Sequence, residues 1–359
     1  MFELVRTMKD NKNELTSGNG STNIQGRDHL TVSQTNHYGI SAGEARSLAL
    51  DVFKANFFDL SKEAKVVAEE RAEELTDKLI GKLKEEHQNF LEEFKNPDMQ
   101  YMLFEAQKTY ARKGNKDVAE VLIDLLVERT KNTEENLLQI TLNGAITVMH
   151  QLTKKHIDLL TLVFTSFYLT PMIFNYKENI EQYFNDHFIK FFHSSFNDWD
   201  YQHFNYCGVA IFNSIGERNF GDYMINSYRG LYNRGISNEE YQKLIMEDSN
   251  ISKYFIPHVH NNGKWMTVFG KEMGIDGLIE KMPEVTSKKL KAIISQNAIS
   301  SFEIYQFIKQ INSKLVPFVE YLEKSGLKNT SLTGVGIAIA ITNLKINGID
   351  YPLSNWITG

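Results

Sequence analysis

His258 and His260 are the residues whose spacing comes nearest to metal chemistry. Two apart on a strand they would face the same way, and a third ligand from His187, His193 or His203 would complete a zinc site. The plainer reading sets both imidazoles on the surface or in a hairpin beside aromatic residues, and no metal ligand is assigned. Cys207 is the only cysteine, which excludes an intrachain disulfide and a Cys-rich zinc site. With His203 it forms the second pairing of interest. Four apart on a helix, a thiol and an imidazole have the spacing of a nucleophile and its base. A thiol packed in an aromatic core is the commoner use of that residue. No catalytic and no cofactor-binding residue is assigned, and no cofactor is expected.

The recurrent phosphate and dinucleotide motifs are missing. Gly263-Lys264 is followed by Trp265, so it is not the end of a phosphate-binding loop. Gly334-Val335-Gly336 lacks a preceding βαβ unit and fails as a dinucleotide fingerprint. Pro97-Asp98 opens a helical stretch where a nuclease core would need a strand.

Any site must therefore be positioned by what the rest of the chain builds. Of its 359 residues, 42% are hydrophobic and 23% charged, a globular balance. With 23 Phe and 16 Tyr, a large aromatic core is expected, and only 6 prolines suit a mainly helical chain. The formal charge of −6 argues against nucleic acid or anionic lipid as a partner. The N-terminus has no long apolar core and does not read as a secretory signal. The longest uncharged run, 159–176, carries Thr161, Thr165, Ser166, Thr170 and Pro171. It reads as a buried helix stopped near Pro171, and no membrane association is expected. The expected location is cytoplasmic.

The fold class expected is mainly α: a multi-helix bundle or helical array, with a short N-terminal β-strand or hairpin and a small β-hairpin near 253–269. Ser41 with Glu44, and Ser237 with Glu240, are capping boxes. Half of residues 62–95 are charged, with Leu75, Leu79 and Leu83 as a narrow stripe that Phe90 and Phe94 continue. Such a helix, ~50 Å long if unbroken, reads as a spacer or a coiled-coil-like partner. Gly114-Asn115 divides a helical hairpin, residues 134–150 form another helix, Thr153 caps the next, and Asn261-Asn262-Gly263 is the turn of the small hairpin. Thr333 caps a last apolar helix in "LTGVGIAIAITNLK". A similar Leu-Thr-x-x-Gly element ends winged-helix modules, but its surroundings are not basic, and a helix docked in the core is preferred. Three regions follow: an N-terminal tail with a β oligomerisation element at 1–40, long charged amphipathic helices at 41–95, and a helical body at 96–359.

Within "GNGSTNIQGRDHLTV", residues Ile24, Leu30 and Val32 share one parity and would line one face of a strand, or of two short strands at 21–25 and 29–33. An isolated ribbon is marginal in water, so it needs the body or another chain, and an exposed edge favours another strand. Residues 20–34 are therefore read as the homo-oligomer interface, with Ile24, Leu30 and Val32 at its centre.

The segments "GNGSTNIQGRD", "FFDLSKEAKVVAEERAEEL", "FKNPDMQYMLFEAQKTYARKGN" and "LTGVGIAIAITNLK" together resemble a family of uncharacterised bacterial proteins whose name derives only from locus tags. The STNIQGRD-type segment also resembles elements placed ahead of varied domains in bacterial conflict and phage-defence proteins. The resemblance implies a context and supplies no catalytic residues. The function expected is a non-enzymatic, self-associating interaction protein, a sensor or scaffold of phage defence with an unknown protein partner. The alternative is an enzyme with its site in the aromatic region 183–265, a nuclease or metal-dependent hydrolase.

Overall fold

A computed structural model describes residues 14–17, 21–24, 40–57, 60–86, 88–170, 177–213, 218–228, 232–258, 261–267, 279 and 282–358. The chain is mainly α-helical with small antiparallel sheets of two and three strands, as the sequence predicts. No helix among the described residues is long and apolar enough to cross a membrane.

Local rules account for most helix boundaries. The first helix, α1 (Ala42–Asn56), starts at the Ser41 capping box. Next, α2 (Lys62–Glu86) is followed by a 3-10 segment, Gln88–Lys95. Helices α3 (Pro97–Lys113) and α4 (Lys116–Lys131) form the hairpin, and Gly114 closes α3 at φ +64°, where a side chain would be strained. After them come α5 (Leu137–Val148) and α6 (Lys154–Phe167), the latter capped by Thr153. The α2 stripe is not a free spacer. Leu75, Leu79 and Leu83 are buried, as are Leu91 and Phe94 beyond the helix, and α2 packs on α1, α3 and α4. A narrow stripe suffices because its partners bring the rest of the apolar surface. The side chain of Phe90 lies outside the described residues.

The chain continues through α7 (Lys177–His187), α8 (Asp198–Cys207), β3 (Ala210–Phe212), α9 (Phe220–Ser227), β4 (Ile236–Ser237) and α10 (Asn238–Glu247). The predicted hairpin is β5 (Phe255–Pro257) and β6 (Lys264–Thr267), with Gly263 at φ +85° in the turn. Its sheet gains a third strand that the sequence did not announce, since β4 also pairs with β6. Ile236, Tyr241, Ile251, Phe255 and Leu290 form a small core of their own around this sheet. Helices α11 (Glu284–Gln296), α12 (Ser301–Ile311) and α13 (Leu315–Lys324) lead to β7 (Thr330–Leu332), which pairs antiparallel with β3.

The last helix, α14 (Gly334–Ile346), is apolar on all sides and therefore buried, packed against α4, α5 and α6. A DNA-reading helix must face solvent, so the Leu-Thr-x-x-Gly element is a core helix and not a recognition helix. Thr333 caps α14 and also donates its hydroxyl to the Gly208 carbonyl at 2.8 Å. A Cβ at Gly336 would overlap the Val209 carbonyl oxygen, so the glycine lets α14 dock against the end of α8.

One charged node ties the helices together. The fully buried Arg129 of α4 donates to Asp98 of α3 at 2.6 Å, to Asn143 of α5 at 3.0 Å and to the Asn132 carbonyl at 2.9 Å. Partial burial raises the Asp98 pKa, but bonds from Arg129 and Asn143 outweigh it and leave the carboxyl below its usual range.

At the N-terminus, β1 (Glu14–Ser17) pairs antiparallel with β2 (Ser21–Ile24), from Glu14 opposite Ile24 to Ser17 opposite Ser21. The expected strand at 21–25 is present. Its partner, however, lies upstream in residues that read as a tail. One edge of the Ile24 strand is thus taken within the chain. Leu30 and Val32 lie outside the described residues.

Candidate functional site

The N-terminus of α6 reads Lys154-Lys155-His156-Ile157-Asp158, and α8 is linked to it through Asp200. Thr153 caps α6, and its backbone N–H donates to Nδ1 of His156 at 3.2 Å. That bond makes Nδ1 the acceptor and puts the ring proton on Nε2, which faces Asp200 Oδ1 at 3.3 Å. Burial, and then the neighbouring His203, hold the His156 pKa below the ordinary imidazole range. Asp200 is bonded on all sides. Lys155 Nζ donates to both oxygens at 2.8 and 3.1 Å, and the Asn197 N–H donates to Oδ2 at 2.8 Å as part of the α8 capping box. Both nitrogens of His156 and the whole carboxylate are occupied by protein groups, so this pair holds α6 and α8 together and is not poised as an acid or a base.

The Cys207–His203 pair forms as the i,i+4 spacing predicts, with Sγ and Nε2 3.3 Å apart. Its chemistry is decided elsewhere. His203 Nε2 lies 2.9 Å from the Gln151 carbonyl, an acceptor only, so Nε2 carries a proton and cannot take one from the thiol. The thiol instead donates to Gln151 Oε1 at 3.4 Å, and burial pushes its pKa up. A nucleophilic cysteine needs the opposite shift.

A second carboxylate, Asp158, is buried one turn along α6. It accepts from Lys154, from His193 Nε2 at 2.9 Å and from Asn343 of α14 at 3.1 Å. It is a polar joint inside the core. His258 is also buried, its Nε2 2.9 Å from the Asn233 carbonyl, and burial lowers its pKa. His260 lies outside the described residues, and no cluster of three or more His, Cys, Asp or Glu among the described residues is arranged to hold a metal. Residues 39–43, Gly-Ile-Ser-Ala-Gly, match the pattern of a nucleophile elbow. Ser41 Oγ is instead turned into its own helix, accepting the Glu44 N–H at 3.2 Å.

Above these occupied groups lies an open cleft of about 570 Å³, lined by His156, Asn197, Trp199, Gln202, His203 and Tyr206, with Asp200 at its floor. It is open to solvent over most of its extent and is a surface groove, not an enclosed pocket. The rings of His156 and His203 sit 4.8 Å apart, and those of His203 and Tyr206 sit 6.0 Å apart with their planes at 26°. Trp199 and Tyr206 are 76% and 81% exposed, an unusual place for two large aromatics. The cleft falls in the aromatic region singled out from the sequence, but its ring row was not read there. The signal was present: residues 199, 203 and 206 share one face of a capped helix.

A protein-family model matches residues 39–357. The chain belongs to that family. The family is uncharacterised, so membership supplies no activity. The match takes in all of α1 to α14 and leaves out the β1–β2 ribbon. No curated protein and no solved structure matches the chain.

Proposed function

We propose that the protein is a non-enzymatic, self-associating interaction protein, a sensor or scaffold of bacterial phage defence acting in the cytoplasm, joined to its copies through residues 20–34. The β1–β2 ribbon carries this reading. It has four residues per strand and joins no further strand among the described residues. A two-stranded ribbon is marginal alone, and its outer edges offer backbone N–H and C=O groups to a further strand. Its position outside the family match fits an attachment to a separately folding body. The phage-defence context rests on the resemblance of the STNIQGRD-type segment.

Light scattering tests the association. Replacing Ile24 and Val32 together with Asp, or deleting residues 1–39, should lower the oligomer mass while helical content and melting of the body stay unchanged. An unchanged mass in both variants would remove the ribbon from the interface.

The enzyme reading, a nuclease or metal-dependent hydrolase working from region 183–265, has the polar groups of the α6–α8 cleft in its favour. The occupied nitrogens of His156 and the protonated Nε2 of His203 count against it. Nuclease activity or stoichiometric zinc that disappears in His203→Ala or His258→Ala would restore it.

A further inference from the structure

Trp199 and Tyr206 of α8 are the two most exposed aromatic residues among those described, and nothing in the reading above uses them. Trp199 and Tyr206 are seven residues apart, two helical turns, so they project from one face about 10.5 Å apart along the axis. His203 stands between them, and Gln202 lines the same cleft. We propose that this face docks a proline-rich segment of a partner protein in the polyproline II conformation.

Three observations carry the assignment. The first is pitch. A polyproline II helix repeats every three residues, or about 9.3 Å, close to the axial rise of about 10.5 Å between the two helix positions, so prolines one turn apart would come to Trp199 and Tyr206 in turn. Recognition of such segments uses aromatic-lined grooves of this kind. The second is hydrogen bonding. That helix has no internal hydrogen bonds, so its carbonyls need external donors. Trp199 and Gln202 line the cleft, and their indole N–H and side-chain amide are donors of the kind required. The third is charge. The Lys155 ammonium is bound to Asp200 and His156 is held neutral, while Asp198 adds negative charge to the same helix. Single-stranded nucleic acid, the other ligand that stacks on exposed rings, needs a positive groove for its phosphates, and this cleft lacks one. A second copy of this chain is not the occupant, because its six prolines stand singly, far from one another.

Calorimetric titration of the full-length protein with a decaproline peptide tests the proposal, with a Gly-Ser peptide and a deoxythymidine decamer as comparisons. Saturable binding of decaproline below about 1 mM, with neither comparison binding, is expected. Trp199→Ala and Tyr206→Ala should each weaken it at least about tenfold, as truncated hot spots do, with an unchanged circular dichroism spectrum. Met246→Ala, at another exposed apolar residue, should leave it unchanged. No saturable binding of decaproline, equal binding of the Gly-Ser peptide, binding of the decamer instead, or affinity unmoved in both ring variants would each overturn it. Deletion of residues 1–39 should keep peptide binding, which separates failure of this proposal from failure of the self-association reading.

Discussion

The Arg129 node and the α6–α8 cleft are built from the same kinds of group: a cation, a carboxylate and a side-chain amide or carbonyl at hydrogen-bond distance. Arg129 is sealed among α3, α4 and α5, with each guanidinium nitrogen bonded, to Asp98, Asn143 and the Asn132 carbonyl. At the cleft the ion pair of Lys155 and Asp200 is equally spent, but the rings above it are open to solvent. Polar groups that satisfy one another hold helices in register. What is left over at the surface, here Trp199 and Tyr206, is available to a partner. The difference teaches that a cluster of titratable residues is not by itself a site, and that the unused surface beside it can be.

Breaking the sealed node should have the largest effect. Arg129→Met removes the cation from Asp98 and Glu93 and the donors from Asn143 and the Asn132 carbonyl, and should cost about 1.5–3 kcal/mol by denaturant unfolding. Asp98→Asn, at a residue that solvent reaches, should cost about 1 kcal/mol. A loss for Arg129→Met no greater than for Asp98→Asn would mean that the node is not sealed.

Next comes the seam between the core and the end of α8. Gly336→Ala forces its methyl into the Val209 carbonyl and should cost about 1–3 kcal/mol, as overpacking does. Because Thr333 and Gly336 both meet the Gly208–Val209 turn, the same variant should also weaken decaproline binding through displacement of α8. Unchanged melting would show that α8 yields freely and that the cleft is not rigidly held.

A smaller effect is expected from acid. Burial lowers the His187 pKa to about 4, and His156 and His258 are shifted the same way. The unfolded chain binds these protons more readily than the fold. Their contribution is therefore complete above about pH 6.5 and is lost as pH falls towards 4, at no more than about 1.4 kcal/mol per pH unit for each group. His187→Gln should flatten the stability profile between pH 6.5 and 4. A slope unchanged from the parent protein would show that His187 is not sheltered. Smallest of all, Trp199→Ala should alter stability by less than about 0.5 kcal/mol, since its ring packs mostly against water. A larger loss would place Trp199 with the sealed groups.

Features that depend on residues within about four positions were legible beforehand. The capping boxes at Ser41 and Ser237, the caps at Thr153 and Thr333, the Gly114 and Gly263 turns and the contact of Cys207 with His203 are all of this kind. Each is set by local backbone geometry, which the identity of nearby side chains determines. What tertiary structure decided came from far along the chain. The roles of His203 and Cys207 are set by Gln151, more than fifty residues away, and the third strand β4 becomes visible only once β6 is beside it. The α2 stripe looked too narrow to bury, because its depth is supplied by α1, α3 and α4. Burial is a property of the assembled surface. A sequence states which residues can be apolar neighbours, and only packing determines that Phe204 is covered while Tyr206, two residues on, is left in water.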